Sequence, residues 1–234
     1  MWDFHDPAGS AERFRDALER AAGPGRLVLQ TQLARAEGLQ ERYDDGHRIL
    51  DEVAAADSSH PEVAVRLALE RGRLLRSSGD PQAAVPLFDA AVAVARAAGL
   101  EVLMVDALHM VALVAPADRQ LQLTRDALAA ARSATNPAAR AWEASLLNNI
   151  GMCQVDAGDP EGALETFRAA LAAWERLEKP VGDVRIARWM VGWALRLVGR
   201  TAEALAVQEA LAAELAADGE EDPYVEEELA LLRR

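Results

Sequence analysis

The 234-residue chain has little cysteine, few aromatic residues and a deficit of positive charge. Cys153 is its single cysteine, so no internal disulfide can form, and we expect the reducing environment of the cytoplasm. Arginine and lysine total 25 against 38 acidic residues, which gives a net charge of −13. Because nucleic acids and anionic membrane surfaces repel such a charge, we expect neither of them as a partner.

The sequence also lacks long apolar runs and the usual catalytic motifs. No stretch reaches eighteen uninterrupted apolar residues, and residues 1–18 contain no signal-peptide core. There is no C-x-x-C pair, no H-E-x-x-H, no nucleophile elbow and no glycine-rich phosphate loop, and the four histidines are scattered. The sequence therefore predicts a protein that is not an enzyme and that binds no metal and no cofactor.

Helix-forming residues, by contrast, are abundant. Hydrophobic residues make up 51% of the chain while aromatic residues make up 5%, and alanine and leucine dominate over β-branched residues. Alanine and leucine have high helix propensity, whereas strands favour β-branched and aromatic residues. The composition therefore predicts an all-α fold.

Three segments repeat the same spacing of small and large residues. In each, a glycine is followed seven residues later by a second glycine, then after five residues by an alanine, and after four more by a larger side chain. The three sets are Gly72, Gly79, Ala84 and Phe88; Gly151, Gly158, Ala163 and Phe167; and Gly192, Gly199, Ala204 and Gln208. This pattern is typical of two helices that approach closely where the small residues lie.

Two weaker copies, around Ala34 and around Val111, complete an array of five repeats that start near residues 27, 65, 104, 144 and 185. A turn shortened at Ala115 and Pro116 separates the helices of the third repeat, and Asp80 and Asp159 are predicted N-caps. We expect one superhelical domain over 1–234. It comprises an N-terminal cap (1–25, with a helix over 10–22 that starts at Ser10), the repeats (26–217), and an acidic loop with a C-terminal helix (218–234).

These spacings resemble the tetratricopeptide repeat, whose helix-turn-helix units stack into an α-solenoid. The stretches "WDFHDPAGSAERF", "QTQLARAEGL", "HMVALVAP", "SLLNNIGM" and "RIARWMVGWALRLVGR" further resemble an uncharacterised bacterial family of such proteins. Members of that family continue into the rest of a further repeat, so the resemblance implies a shortened C-terminus here. The resemblance implies the fold but no particular reaction.

In tetratricopeptide arrays the first helices of successive repeats line a concave groove, and their inward positions are the candidate binding residues. Arginine pairs with carboxylates, side-chain amides bond to peptide backbones, and tryptophan contacts apolar or cationic groups. The predicted groove residues are Thr31, Gln32, Arg35, Glu70, Arg73, Arg76, His109, Asn148, Asn149, Met152, Trp189, Trp193 and Arg196.

Each of these residues also has a structural interpretation. The asparagines can bond to neighbouring helices, and the arginines can balance local acids such as Glu70. His109 can be a packing or rim residue. Trp189 and Trp193 can lie under the C-terminal helix. Cys153 is interpreted as a packing residue.

The predicted function is a non-catalytic scaffold or adaptor that binds a peptide or protein segment in the groove. We expect a partner that is acidic or that presents a C-terminal carboxylate. The alternative is a ligand-sensing regulatory protein that binds a small anionic molecule or a short peptide. A homodimer through the C-terminal helix is a further hypothesis, because Leu229, Leu231 and Leu232 form an apolar strip there.

Overall fold

The computed structural model of the protein describes residues 1–56, 59–177 and 181–234, and every regular element in these ranges is a helix. Consecutive helices pack in pairs, which confirms the predicted all-α fold. The helices are α1 (Pro7–Leu18), α2 (Gly23–Gly38), α3 (Tyr43–Ala55), α4 (Pro61–Ser77), α5 (Pro81–Ala97), α6 (Glu101–Val114), α7 (Ala117–Ser133), α8 (Pro137–Arg140), α9 (Glu143–Asp156), α10 (Pro160–Arg176), α11 (Val181–Leu197), α12 (Thr201–Asp218) and α13 (Pro223–Leu232).

The described chain divides into two compact units. Unit 1 comprises Met1–Ala130 and Ala134–Ala139, and unit 2 comprises Ala131–Ser133 and Arg140–Arg234. Each unit has its own buried apolar core. The single superhelical domain expected over 1–234 stays a prediction.

The five predicted repeats correspond to the helix pairs α2–α3, α4–α5, α6–α7, α9–α10 and α11–α12. The first helix of each pair begins between one and four residues before the predicted start. The two-residue connection between α6 and α7 lies at Ala115 and Pro116, where the sequence predicts a shortened turn. The extra residues relative to a minimal repeat therefore lie in long helices.

Glycine and phenylalanine form the joint inside two of these pairs. A Cβ atom placed on Gly72 would lie 2.5 Å from Cε1 of Phe88, and one on Gly151 would lie 2.5 Å from Cε1 of Phe167. Both phenylalanine rings are fully buried. The helices of these pairs can therefore approach this closely only where the first helix has no side chain.

In the pair α11–α12, Gln208 occupies the position of these phenylalanines and faces Gly192. Its side chain is fully buried, and its Nε2 donates one long hydrogen bond of 3.5 Å to the carbonyl of Trp189. Its Oε1 accepts no hydrogen bond from any residue that the structure describes. A buried amide oxygen without a partner lowers stability.

Capping residues explain where the helices begin. Asp80 and Asp159 accept hydrogen bonds of 3.0 Å from the backbone N–H of Ala83 and Gly162, as predicted. The prediction for α1 was wrong, because Asp6 caps this helix four residues earlier than Ser10 would.

Ser10 is buried, and its hydroxyl exchanges two hydrogen bonds with the backbone of Asp3. The sequence also predicts helix starts at Asp183 and in the stretch 57–61. Asp183 lies within the first turn of α11 and does not start the helix. Asp57 and Ser58 lie outside the described residues.

The C-terminal helix α13 packs against α11 and α12. Asp222 caps it by accepting a hydrogen bond from the backbone N–H of Tyr224. Leu229 and Leu232 are buried within unit 2, so only Leu231 of the predicted apolar strip is exposed, at 46%. The strip is therefore not the open surface on which the homodimer hypothesis depended.

We expect Gly151→Ala to destabilise the protein by about 1 to 3 kcal/mol, because the new methyl group would overlap the buried ring of Phe167. Urea unfolding measures the loss. Gly182→Ala is the control, since a Cβ on Gly182 meets nothing within 4 Å, and its stability should match or slightly exceed that of the original protein. Equal stability of the two variants would contradict the close-contact explanation.

We expect Gln208→Leu to raise the free energy of unfolding by about 1 kcal/mol, because leucine removes a buried amide oxygen that has no partner. The same unfolding experiment measures the gain. A less stable variant would show that the amide is better satisfied than its hydrogen bonds indicate.

Candidate functional site

A buried ionic cluster joins α4 to α6 in unit 1. Arg73 donates a 2.6 Å hydrogen bond to Glu70 and a second, shorter one to Asp106. Glu70 is only 2% exposed. Burial alone lowers the pKa of Arg73, but the carboxylates of Glu70 and Asp106 outweigh burial and raise this pKa above its ordinary value. Arg73 therefore stays charged and holds two buried carboxylates in place.

The cluster forms one wall of a pocket of about 220 Å³ between α2, α4 and α6. Three arginines, one glutamate and one serine line this pocket together with apolar side chains. Its lining residues are Arg35, Gly38, Leu39, Glu70, Arg73, Leu74, Arg76, Ser77 and Met110. All of them belong to unit 1.

Two polar groups of the residues that line this pocket are not fully paired within the described chain. Arg76 is exposed and makes no ion pair with any residue that the structure describes. Glu70 uses its Oε1 for the arginines, while its buried Oε2 accepts no hydrogen bond within residues 1–56, 59–177 and 181–234. Three guanidinium groups face the two carboxylates of Glu70 and Asp106, so one positive charge remains unbalanced.

The N-terminal segment holds Arg35 against the side of this pocket. The Arg35 guanidinium lies 5.6 Å from the ring centroid of Trp2 and 5.2 Å from that of Phe4, and the two rings stack at 4.9 Å. Burial lowers the pKa of Arg35, and the ion pair with Glu70, at 3.9 Å, opposes this shift. Arginine remains protonated at neutral pH. Its cation is therefore positioned by aromatic stacking.

Thr31 and Gln32 do not form part of an open groove. Thr31 is fully buried, and its hydroxyl donates a 2.7 Å hydrogen bond to the carbonyl of Val28. Gln32 is also buried, and its Oε1 accepts a 2.9 Å hydrogen bond from the indole N–H of Trp2. The sequence placed both residues on the inner face of α2, but residues 1–6 fold back onto this helix.

His109 lies on α6 beside the ionic cluster. Burial lowers its pKa to about 4; the charge of Asp106 opposes the shift, and the nearby arginines add to it. The imidazole is therefore neutral at pH 7 and contributes no charge to the pocket.

Asn148, Asn149 and Met152 lie on α9 in unit 2. Both asparagines are half-buried, and the side chain of Met152 is exposed. Next to them, burial raises the pKa of the Cys153 thiol, and the charge of Asp156 raises it further. A raised pKa disfavours the thiolate, which agrees with the interpretation of Cys153 as a packing residue.

The tryptophans of α11 lie partly beneath other side chains. Trp189 and Trp193 stack with centroids 6.0 Å apart, and Trp189 meets the ring of Tyr224 on α13 edge to face, also at 6.0 Å. Trp193 packs against Phe167. The alternative interpretation, that the tryptophans lie under the C-terminal helix, describes the position of Trp189.

Arg196 forms a bidentate ion pair with the buried Glu228 of α13, with both N···O distances at 2.7 Å. It therefore joins α11 to α13, which is the structural interpretation given for the arginines.

Sequence reasoning missed Asp106, the second carboxylate of the cluster. It lies in "EVLMVDALHMVALV", an otherwise apolar helix, where a single acid in the middle must find a buried cation. That signal was present in the sequence. The partner Arg73, 33 residues away, could not be named from it.

Known proteins resemble this chain in sequence over one segment and in fold over most of its length. A family model of the tetratricopeptide repeat matches residues 142–213, which span α9 to α12. No curated protein sequence matches the chain. The sequence match is therefore confined to this segment.

Solved structures extend the similarity in fold beyond the matched segment. A kinesin light chain protein of Podosopora anserina with nearly identical TPR-like repeats is 20% identical, with a TM-score of 0.62; the match covers 85% of this chain and 99% of that one. A Rap protein complexed with Competence and Sporulation Factor is 14% identical with a TM-score of 0.65, over 88% of this chain and 58% of that one.

The quorum sensor NprR from B. thuringiensis, in complex with its cognate peptide NprX, is 13% identical with a TM-score of 0.59. This match covers 98% of this chain and 66% of that one.

Membrane-spanning helices and metal sites are not among the features of the described ranges. None of the helices there is long and apolar enough to cross a membrane. No group of three or more histidine, cysteine, aspartate or glutamate side chains in those ranges is placed to hold a metal ion.

The lowered pKa of His109 makes stability depend on pH. In the unfolded chain this histidine takes up a proton near pH 6.5, whereas in the folded chain it does so only near pH 4. The contribution of His109 to the free energy of unfolding is therefore present above pH 6.5 and is lost as the pH falls toward 4. We expect the free energy of unfolding to fall between pH 7 and pH 4.5 by about 2 to 3 kcal/mol less in His109→Gln than in the original protein.

Urea unfolding at the two pH values measures this difference. His47→Gln is the control, because it changes a histidine on α3 and leaves His109 in place. If both variants lose the same free energy on acidification, burial of His109 is not the cause.

Proposed function

We propose that the protein is a cytoplasmic, non-catalytic interaction module whose unit 1 pocket binds an acidic segment of a partner protein or peptide. The observation that carries this proposal is the exposed guanidinium of Arg76, which lines the pocket and has no ion pair among the described residues. This cation is open to an anionic ligand.

A peptide supplies the anion. The planar fork of Arg76 matches a carboxylate, from an acidic side chain or from a C-terminus. The Oε2 of Glu70 is buried and out of reach of a ligand, so Glu70 contributes by holding Arg35 and Arg73 through its Oε1. Leu39 and Met110 line the same pocket and offer contacts to an apolar side chain.

The excess of one positive charge explains how a protein with a net charge of −13 attracts an acidic ligand. Arg73 and Arg35 are largely withdrawn from solvent, so salt screens their charges less than it screens surface charges. The net negative charge of the molecule repels anions at long range, so an acidic ligand depends on this local positive charge for its attraction.

The size of the pocket favours a peptide over a whole metabolite. Pockets that enclose drug-sized ligands typically measure about 300 to 1,000 Å³, whereas this one measures about 220 Å³. It can hold one side chain or a chain terminus. The similarity in fold to NprR, solved with its cognate peptide, supports the same class of ligand.

The test measures binding of the peptide acetyl-AEELD, with a free C-terminal carboxylate, by isothermal titration calorimetry. We expect Arg76→Glu to weaken binding at least tenfold, which corresponds to about 1.4 kcal/mol, because an attraction becomes a repulsion. Arg96→Glu is the matched control, since Arg96 is an exposed arginine in the last turn of α5 that does not line the pocket.

Equal loss of binding in both variants would indicate a general charge effect and would contradict the proposal. Binding of inorganic phosphate as tight as that of the peptide would favour the alternative, a sensor of small anions. Arg73 is unsuitable for charge reversal, because its removal leaves two buried carboxylates uncompensated and destabilises unit 1.

A further inference from the structure

Unit 2 contains a second pocket with a different character. It measures about 330 Å³ and lies between α11, α12 and the first turn of α13. Its wall is mostly apolar, and its main contributors are Ile186, Trp189, Leu211, Leu215, Tyr224 and Val225. None of these residues belongs to the pocket of the proposed function.

Two large apolar side chains at this pocket are exposed to solvent. Ile186 is 57% exposed and Tyr224 is 65% exposed, whereas Leu211 and Val225 behind them are buried. Exposed apolar side chains next to an apolar cavity are typical of an interaction site.

The Trp189 indole forms part of the apolar wall of this pocket. Its ring stacks on Trp193 and meets the ring of Tyr224 edge to face, each with centroids 6.0 Å apart. Its Nε1 is buried, so the indole meets an occupant through its apolar surface. An occupant of this pocket therefore gains from an apolar or aromatic body that packs against these rings.

The edge of the pocket is acidic. Residues 218–227 carry six carboxylates and no cation, and Asp222 reaches the pocket itself. The one cation of the lining, Arg185, already pairs with Asp218, Glu220 and Glu214. A negative edge attracts positive charge and repels acidic ligands.

We propose that this pocket binds a basic segment of a partner protein through one large apolar or aromatic residue. That residue enters the cavity and packs against Trp189 and Tyr224. Flanking lysines or arginines face the acidic residues 218–222. The charge preference is opposite to that of the unit 1 pocket, so the two sites select different segments.

The test titrates the full chain with three short peptides and follows tryptophan fluorescence and heat. Acetyl-KKFKK-amide supplies both the anchor and the charge. We expect it to bind at least tenfold more tightly than acetyl-KKAKK-amide, which lacks the anchor, and than acetyl-EEFEE-amide, which reverses the charge. If acetyl-KKAKK-amide binds equally well, surface charge alone accounts for binding. If acetyl-EEFEE-amide binds equally well, the apolar anchor alone accounts for it. Either result overturns the proposal.

Variants locate the site. We expect Tyr224→Ala to weaken binding of acetyl-KKFKK-amide at least fivefold, because it removes an exposed wall of the pocket. Leu231→Ala is the control, since Leu231 is an exposed apolar residue of the same helix that does not line the cavity.

An unchanged affinity in Tyr224→Ala, with helical content preserved by circular dichroism, would overturn the proposal. The outcome is separate from that of the proposed function. Arg76→Glu should leave binding of acetyl-KKFKK-amide unchanged, because Arg76 belongs to unit 1 and Tyr224 to unit 2.

Discussion

The close contact between a glycine and a phenylalanine inside a helix pair is the constraint on which the rest of the structure depends. At Gly72 and at Gly151 the first helix has no room for a methyl group, because a buried ring fills that space. This contact fixes the distance between the two helices of a pair. In unit 1 the helix that carries Gly72, α4, also lines the pocket together with α2 and α6. The pocket for which we propose recognition is therefore built on a helix that this packing holds in place.

Most of the side chains that the sequence predicts for recognition are committed to stability in the structure. Arg73 holds two buried carboxylates, and Arg196 holds the buried Glu228, so neither guanidinium is available to a ligand without a large penalty. Arg35 is stacked on aromatic rings. Arg76 alone among the predicted groove arginines is left without an ion pair in the part of the chain that the structure describes. We therefore expect binding to depend on Arg76, while the other arginines contribute to the electrostatic potential around it.

The sequence predicted the helix pairs and their joints because both depend on local spacing. Gly72 and Phe88 are 16 residues apart in one repeat, and the same spacing recurs at Gly151 and Phe167. Contacts between distant segments were missed. The segment containing Trp2 covers Gln32 from 30 residues away, and Asp106 pairs with Arg73 across 33 residues. Periodicity identifies which face of a helix is turned inward, but it does not reveal which inward residues another segment will cover.

The central claim is that the unit 1 pocket recognises a carboxylate through Arg76, and arginine side-chain NMR tests it most directly. Titration of the ¹⁵N-labelled protein with acetyl-AEELD should shift the Nε–H resonances of Arg76 and Arg35 first, and both shifts should saturate at the same peptide concentration. Because Arg96 and Arg168 lie on exposed helix surfaces outside the pocket, their resonances should stay in place. Shifts at Arg96 and Arg168 with none at Arg76 would contradict the account.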